Sequence, residues 1–225
     1  MLGQKARVRS HVNTTLETDS PARRRTPIPD DRIIIGNPLL LVIDVQHDFV
    51  DTDGRVSAGY APAVIPSIRT LIESFRAADL PIIFTRESHR PGQVDGGLEP
   101  EYRIPEHCVE GTHGHDIVED VAPMPSEMVI DKRRYSCFLG TELEFLLRKF
   151  RTDTLVVCGL TSDCCVHWTA GDAFQRDFHV RVVEDATAGT SPEAHEASLL
   201  ILRRLTTRGR AIHTKDILPA IGGMP

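Results

Sequence analysis

One stretch of the sequence decides the fold: residues Gly159–Thr169, which read GLTSDCCVHWT. The apolar run Thr154–Cys158 leads into this stretch, and a segment with helical character, Cys165–Arg176, leads out of it. A strand, a tight turn and a helix start form the geometry that presents a nucleophile. Because the helix dipole and the free backbone N–H groups at a helix N-terminus favour a thiolate, Cys165 is predicted to be a catalytic nucleophile.

The composition predicts one ordinary domain, or one domain with a tail. The chain has 225 residues, of which 40% are hydrophobic, with a net charge of −6 and a pI near 5.9. This acidity argues against a nucleic-acid partner. No apolar run approaches the roughly 20 residues that span a bilayer, so no membrane association is expected. The odd number of cysteines, mostly in apolar segments, indicates a reducing, cytoplasmic location.

Residues 1–36 differ in composition from the rest of the chain. They are rich in Arg, Ser, Thr and Pro and show no hydrophobic periodicity before Ile33. Such a composition is typical of a flexible segment. We therefore predict a flexible N-terminal arm over residues 1–36 and a folded domain over residues 37–225.

The folded part alternates between strand-like and helix-like patterns. Short continuous apolar runs are typical of strands buried on both faces, and apolar residues three or four positions apart are typical of helices. The alternation predicts a three-layer α/β/α sandwich around a mostly parallel, Rossmann-like sheet of about six strands. Thr141, with Glu144 three residues later, predicts a capping box. The predicted strands are Leu39–Ile43, Pro81–Thr85, Met128–Ile130, Thr154–Cys158, His179–Val183 and Ala211–Ile212, and the predicted helices are Ala61–Ala78, Thr141–Phe150, Cys165–Arg176 and Pro192–Leu205.

A carboxylate, an amine and a thiol each follow a predicted strand. Asp44 follows the first strand, Lys132 the third and Cys165 the fourth. Because ligands bind outside the carboxyl ends of parallel strands, these side chains are expected to meet at one rim. There the lysine would stabilise a thiolate, and the aspartate would take the thiol proton and return it to a leaving amine. Each residue alone has an ordinary structural explanation, but the three together favour a catalytic triad.

Three motifs make the chain resemble the isochorismatase-like cysteine hydrolases, and within them the nicotinamidase-like and ureide amidohydrolases. These motifs are Val42–Phe49 at the first strand, the nucleophile turn Gly159–Val166, and Asp185–Gly189 after the fifth strand. The resemblance implies that residues 37–225 form a hydrolase domain. It also implies an amidase that cleaves non-peptide C–N bonds through a thioester intermediate.

Within the turn, the resemblance selects Cys165 over Cys164, because the family's nucleophile stands immediately before a valine. It implies a cis peptide bond between Leu160 and Thr161. It also implies an oxyanion hole formed by the backbone N–H groups of Thr161 and Cys165, in which each donor is worth roughly 3 kcal/mol.

The long connection after the second strand adds a group of candidate metal ligands. Pro105–Gly114 resembles the nicotinamidase segment whose histidine binds a divalent metal, and Glu87–His89 stands where that subfamily has an Asp-x-His pair. The implied ligands of one zinc, iron or manganese ion are Glu87, His89 and His107. Because glutamate replaces aspartate, the alternative is that these residues bind substrate or serve the loop structure. His113 and His115 match no ligand position and are predicted to lie on the surface, and no organic cofactor is implied.

The substrate is predicted to be a small carboxamide or ureide, of the nicotinamide, biuret or N-carbamoyl type. Phe49 matches an aromatic wall of the family's pocket, and Tyr135 and Phe138 are candidates for further aromatic contacts. Arg86 is expected to bind a carboxylate or a ureido carbonyl of the substrate.

Two further expectations concern partners and function class. Members of the family are commonly oligomeric, so a homo-oligomer is expected. The competing class of function is a non-catalytic or redox-sensing binding module that uses the Cys164–Cys165 pair. That alternative needs neither Asp44 nor Lys132.

Overall fold

Five parallel strands form the central sheet. The computed structural model describes residues 32–223, so residues 1–31 of the predicted arm lie outside the described part. The strands run in the order β3-β2-β1-β4-β5, and each neighbouring pair is parallel. Their bounds are β1 Pro38–Ile43, β2 Ile82–Glu87, β3 Met128–Lys132, β4 Thr154–Leu160 and β5 His179–Ala188.

The predicted sixth strand is wrong. Among residues 32–223 the sheet has five strands, and Ala211–Ile212 is not one of them. The carbonyl of Ile212 accepts a hydrogen bond from the Glu184 N–H at 2.8 Å, but a helix begins at Thr214. The segment is buried at the sheet margin without the repeated hydrogen bonds of a ladder.

Helices cover both faces of the sheet, which confirms the three-layer α/β/α sandwich. Their bounds are α1 His47–Val50, α2 Ala61–Ala77, α3 Leu143–Lys149, α4 Cys165–Gln175, α5 Pro192–Thr206 and α6 Thr214–Ile221. α2 and α6 pack against strand residues such as Leu40 and Val156, and α3, α4 and α5 pack on the other face against Leu39 and Leu155. Alternate residues of a strand point to opposite faces, so both faces of β1 and β4 are apolar.

The helix after β3 begins later than the sequence predicts. α3 starts at Leu143, whose N–H donates to Thr141 Oγ1 at 3.1 Å, and Thr141 donates in turn to the carbonyl of Cys137. Glu144 Oε2 pairs with Arg176 Nε at 3.1 Å instead of reaching back to the backbone. The predicted capping box is therefore wrong, because the glutamate is engaged by a neighbouring helix.

The first described residues pack on this domain. Ile33 and Ile34 contact the core on the α2 face, and the Ile33 carbonyl accepts a hydrogen bond from Arg181 Nε at 2.6 Å. The division of the chain near residue 36 stays a prediction. No helix in residues 32–223 is long and apolar enough to cross a membrane.

Candidate active site

Four polar side chains meet at the carboxyl edge of the sheet. Asp44 directly follows β1, Glu87 ends β2, Lys132 ends β3, and Cys165 opens α4 after β4. β2 lies between β1 and β3, and β4 lies on the other side of β1, so the four positions adjoin. The structure therefore brings the three predicted triad residues together and adds Glu87 to them.

Lys132 contacts both other members of the triad. Its Nζ lies 2.7 Å from Asp44 Oδ2 and 3.3 Å from Cys165 Sγ. Lys132 and Asp44 are 0% exposed, and Cys165 is 2% exposed. A buried charge is tolerated only when it is paired, so the carboxylate and the ammonium hold each other in place.

Thr85 fixes the orientation of the Asp44 carboxylate. Asp44 has a φ of +49°, in the left-handed region, where the chain leaves β1. Thr85 on β2 donates from Oγ1 to Asp44 Oδ1 at 2.6 Å, and its carbonyl accepts the Asp44 N–H at 3.2 Å. One carboxylate oxygen therefore bonds to Thr85 while the other faces Lys132.

The turn from β4 to α4 presents Cys165 at the helix start. Gly159 has a φ of +109°, and a Cβ there would lie 2.1 Å from the carbonyl oxygen of Ile43, so glycine is required. The Leu160–Thr161 peptide bond is cis, at the position that the resemblance implies. Within residues 32–223, neither the Thr161 nor the Cys165 N–H donates to a backbone carbonyl, so both are available to an oxyanion.

Burial and the neighbouring charges shift the pKa values of all three triad residues. Burial raises the pKa of Cys165 well above its usual value; Lys132 opposes that rise, and Glu87 and Asp44 add to it. Burial also raises the pKa of Asp44 against the attraction of Lys132. Burial disfavours the charge of Lys132, but its acidic neighbours hold its pKa well above the usual value. Lys132 therefore favours a thiolate at Cys165 while burial opposes it, and the expectation of a thiolate stays a prediction.

Beside the triad, four side chains converge in what we call the carboxylate–histidine cluster. Its members are Glu87, His89, Glu99 and His107, and one ligand atom of each lies within 4.8 Å of the others. His89 Nε2 is 3.5 Å from Glu87 Oε1 and 4.0 Å from Glu99 Oε2. His107 Nε2 is 4.0 Å from Glu87 Oε2. The structure brings the three predicted metal ligands together and adds Glu99, which the sequence did not reveal.

The chemistry of this cluster fits a divalent metal ion. Among the described residues, Glu87 Oε1, Glu99 Oε2 and both ring nitrogens of His89 are buried without a hydrogen-bond partner. Buried polar atoms normally have partners, so the unpartnered Nε2 of His89, which faces Glu87 Oε1 and Glu99 Oε2, indicates a ligand-binding centre. Two imidazoles and two carboxylates form a donor set that suits zinc, iron or manganese.

Glu87 belongs to both the triad surroundings and the cluster. Its Oε2 lies 3.7 Å from Cys165 Sγ and 3.8 Å from Lys132 Nζ, whereas Oε1 faces His89. Burial disfavours ionisation of Glu87, but Lys132 and the contact with His89 outweigh burial and lower its pKa to about 2. The carboxylate of Glu87 therefore links Cys165 to the cluster.

The side-chain amide of Gln46 holds Glu87, and sequence reasoning missed this residue. Gln46 Oε1 accepts the Glu87 N–H at 2.8 Å, and Nε2 donates to the carbonyls of Glu87 at 2.8 Å and His115 at 2.9 Å. Gln46 is fully buried, so it joins β2 to the long loop. The available signal was a glutamine two residues after Asp44, since a buried amide must find partners.

His115 is buried, which corrects the prediction that it lies on the surface, whereas His113 is exposed as expected. His115 Nε2 lies 2.9 Å from Ser88 Oγ. Burial lowers the pKa of His115, and the charge of Arg86 adds to the effect. The ring thus helps to fasten the loop to the end of β2.

Two of the predicted substrate-binding residues lie beside the cluster. The Phe49 ring meets the His107 ring edge-on, with centroids 6.0 Å apart. Tyr135 is half-buried, and burial together with the nearby charge of Glu99 raises the pKa of Tyr135. A cavity of about 390 Å³ adjoins Tyr135, with Glu99 and Ile104 in its wall. Their contact with substrate stays a prediction.

Arg86 and Phe138 lie elsewhere, which corrects their assignment to the substrate pocket. Because side chains alternate along β2, Arg86 points away from the face that Glu87 occupies, and its Nε pairs with Asp131 Oδ1 at 2.8 Å. Phe138 packs against Phe178 in the core, with ring centroids 6.3 Å apart.

Comparisons with known proteins match this architecture. A family model described as the Isochorismatase domain matches residues 38–214. The chain is 32% identical over 166 residues to Nicotinamidase 3 of Arabidopsis thaliana. This alignment covers 72% of the chain and 79% of that protein. The chain is also 30% identical over 183 residues to the ureidoacrylate amidohydrolase RutB of Methylobacterium radiotolerans. This alignment covers 71% of the chain and 70% of that protein.

Solved structures share the fold over most of their length. An isochorismatase-like hydrolase from Alkaliphilus metalliredigens superposes with a TM-score of 0.74 at 29% identity and covers 82% of this chain and 98% of its own. The pyrazinamidase of Pyrococcus horikoshii, in complex with zinc, superposes with a TM-score of 0.69 at 28% identity. The superposition covers 76% of this chain and 96% of the pyrazinamidase chain.

Proposed function

The chain belongs to the isochorismatase family, and from that premise we propose that it is a cysteine amidohydrolase that cleaves the C–N bond of a small carboxamide or ureide. Relatives are named for both kinds of substrate, as nicotinamidase and as ureidoacrylate amidohydrolase. The observation that carries the proposal is the contact of Lys132 Nζ with Asp44 at 2.7 Å and with Cys165 Sγ at 3.3 Å. A thiol, a base and a buried cation in contact are what nucleophilic amide hydrolysis requires.

The first half of the reaction transfers the acyl group to the enzyme. Asp44 takes the Cys165 proton as Sγ bonds to the carbonyl carbon, and Lys132 stabilises the charge on sulfur during the transfer. The oxyanion accepts hydrogen bonds from the backbone N–H groups of Thr161 and Cys165. When the C–N bond breaks, Asp44 gives its proton to the departing nitrogen, which leaves as ammonia or an amine. The acyl group remains on sulfur as a thioester.

The second half restores the thiol. Asp44 takes a proton from water as the water oxygen bonds to the thioester carbon. The C–S bond then breaks, and Asp44 returns the proton to Cys165 Sγ. The raised pKa of Asp44 suits this role, because an effective acid–base catalyst has a pKa near the working pH.

The carboxylate–histidine cluster is the proposed site of one divalent ion, zinc, iron or manganese. Its ligands would be Glu87, His89, Glu99 and His107. Such an ion, held by these residues, would supply Lewis-acid chemistry next to Cys165. The unpartnered buried atoms of the cluster support this assignment, as does the zinc in the structure of the related pyrazinamidase.

The pocket residues favour a planar substrate. Phe49 contacts His107, and Tyr135 lines the same cavity as Glu99, so both offer aromatic surfaces near the cluster; amide and ureide groups are flat and neutral. We assign a small planar carboxamide or ureide as the substrate class. A homo-oligomeric state, the lack of a nucleic-acid partner and a cytoplasmic location stay predictions.

Ammonia release from nicotinamide, biuret, N-carbamoyl amino acids and simple carboxamides tests the proposal. We expect turnover of at least one member of the panel, its loss in Cys165→Ala and its retention in Cys164→Ala. Cys164 is a matched control, because it is the neighbouring thiol and makes no contact with Lys132. Turnover that survives Cys165→Ala but not Cys164→Ala would show that the wrong nucleophile is assigned. If no substrate is cleaved and peroxide joins the two thiols, the redox-sensing alternative holds.

A further inference from the structure

A second group of ligand-type side chains lies outside the active site, where α1 meets the long loop. We call it the His47–His113 cluster; its members are His47, Asp51, His113 and Glu119. His47 Nδ1 lies 2.9 Å from Asp51 Oδ2, and His113 Nε2 lies 3.5 Å from the same oxygen. One ligand atom from each of these three residues lies within 4.8 Å of the others. Neither the triad nor the carboxylate–histidine cluster uses any of them.

The spacing of these atoms fits a tetrahedral metal centre. Bonds of about 2.0–2.1 Å from zinc to nitrogen or oxygen place two ligand atoms roughly 3.3–3.4 Å apart. The measured separations of 2.9 Å and 3.5 Å fall on either side of that value. Asp51 Oδ2 takes part in both separations, so an ion bound to it needs only short adjustments of Asp51 and His47.

His47 is the anchored member of the cluster. It is 8% exposed, and its Nε2 is buried with no hydrogen-bond partner among the described residues. Glu119 Oε2 lies 3.5 Å from that nitrogen. A metal-binding histidine usually donates its second ring N–H to a carboxylate, which fixes the tautomer that leaves the other nitrogen free to bind. Nδ1 facing Asp51 and Nε2 facing Glu119 have this arrangement.

His113 is the exposed member of the cluster. Its side chain is 71% exposed, and its ring stacks on that of His47 with centroids 3.8 Å apart and a tilt of 31°. Two imidazoles on one tetrahedral ion point away from each other, so their centroids separate further than in a stack. Coordination therefore swings the exposed ring of His113 outward and leaves the buried ring of His47 in place.

We propose that His47, Asp51 and His113 bind a second divalent transition-metal ion, that Glu119 orients His47, and that water fills the fourth position. Two imidazoles and one carboxylate suit zinc, whereas magnesium and calcium prefer oxygen ligands throughout. The chemistry of the donor set therefore selects zinc.

An ion in this cluster would fasten the long loop to the turn after β1. The loop already meets that turn through two backbone hydrogen bonds, from the His47 N–H to the Asp116 carbonyl at 3.1 Å and from the Val118 N–H to the Val45 carbonyl at 3.0 Å. Asp48, the neighbour of His47, accepts the Cys108 N–H through Oδ2 at 2.6 Å. Because Cys108 follows His107, the ion would also stabilise the loop segment that supplies a ligand to the active site.

Zinc titration of metal-free protein by calorimetry tests this inference. We compare the wild type with His113→Ala, which removes an exposed ligand and leaves the core intact. His213→Ala is the matched control, since it removes a partly exposed histidine that belongs to neither cluster. We expect His113→Ala to bind one zinc equivalent fewer than the wild type and the control. Glu119→Gln should keep the site with affinity weakened at least about tenfold.

The outcome does not depend on the proposed function. If the active site also binds zinc, the wild type takes two equivalents and His113→Ala takes one. If the active site does not bind zinc, the wild type takes one equivalent and His113→Ala takes none. Equal stoichiometry in the wild type and His113→Ala overturns the inference. Thermal unfolding gives a second readout, because zinc should raise the Tm of His113→Ala less than that of the wild type. Equal Tm values of both proteins without zinc confirm that the variant is folded.

Discussion

The triad and the carboxylate–histidine cluster lie side by side but are built differently. The triad residues stand at the ends of β1 and β3 and at the start of α4, where the sheet fixes the backbone. In the cluster only Glu87 belongs to a strand. His89, Glu99 and His107 belong to the loop between β2 and β3, which is held by contacts such as the Glu110 N–H to the His89 carbonyl at 2.9 Å. The sheet thus positions the triad residues, whereas the loop positions three of the four members of the carboxylate–histidine cluster.

The largest effect is expected at the centre of the triad. Lys132→Met keeps the length of the side chain but leaves Asp44 and Glu87 buried without a cation. Removing one partner of a buried ion pair costs about 3–5 kcal/mol, so the free energy of unfolding should fall by that amount in urea denaturation. Lys149→Met, on the exposed end of α3, is the control and should change stability by less than about 0.5 kcal/mol. An unchanged urea midpoint for Lys132→Met would mean that the sheet, and not the ion pair, maintains this rim.

A smaller loss of stability is expected in the turn that carries the nucleophile. Gly159→Ala forces a Cβ to within 2.1 Å of the Ile43 carbonyl oxygen at a φ of +109°. Overpacking together with backbone strain should lower the free energy of unfolding by about 2–4 kcal/mol. Gly171→Ala in α4 is the control, because a Cβ there meets no atom within 4 Å. Since alanine favours a helix, that variant should be about 0.5–1 kcal/mol more stable than the wild type. Equal stability of the two variants would show that the turn can relax.

The affinity for zinc tests the contribution of the loop to the carboxylate–histidine cluster. In a His113→Ala background, Glu99→Gln should weaken zinc binding at least about tenfold, or about 1.4 kcal/mol, in competition with a chromogenic chelator. Glu101→Gln, two residues along the same short turn and exposed, is the control and should bind zinc as before. Equal affinities of the two variants would remove Glu99 from the cluster.

The smallest expected effect is a pH dependence of the free energy of unfolding that comes from His115 in the loop. The pKa of His115 is lowered in the folded protein, mainly by burial. As the pH falls below about 6.5, the unfolded chain takes up a proton that folded His115 resists, so the free energy of unfolding decreases. His115→Gln should lose this component when urea unfolding is followed between pH 7.5 and 5.5 in the presence of a chelator. A wild-type profile that matches the variant would mean that the loop tolerates a charged His115.

The contrast between residues placed by the sheet and residues placed by the loop also explains what the sequence could predict. Asp44, Lys132 and Cys165 were found because each directly follows an apolar run, and the ends of parallel strands meet. Glu99 was missed because no repeat or motif determines where a residue in a loop of short 3₁₀ turns will point. Only the folded loop brings it to His89.

The errors have identifiable physical causes. Arg86 was assigned to the pocket from its proximity in sequence to Glu87, although the alternation of side chains along β2 places adjacent residues on opposite faces. The capping box at Thr141 was overridden by the pairing of Glu144 with Arg176. Burial and the charge of Glu87 raise the pKa of Cys165, and neither influence follows from the position of the thiol at a helix start.

The charges of the buried side chains at the rim also need to be balanced, because water does not screen them. Asp44, Glu87 and Glu99 place three carboxyl groups at the rim beside the single amine of Lys132, an excess of two acidic groups, and all four side chains are largely shielded from water. A doubly charged cation balances that excess, whereas a monovalent ion leaves part of it. A neutral amide enters without disturbing the balance, and the carboxylate formed by its hydrolysis adds a negative charge. Electrostatic repulsion therefore favours release of the acid product and keeps the site open to the next uncharged amide.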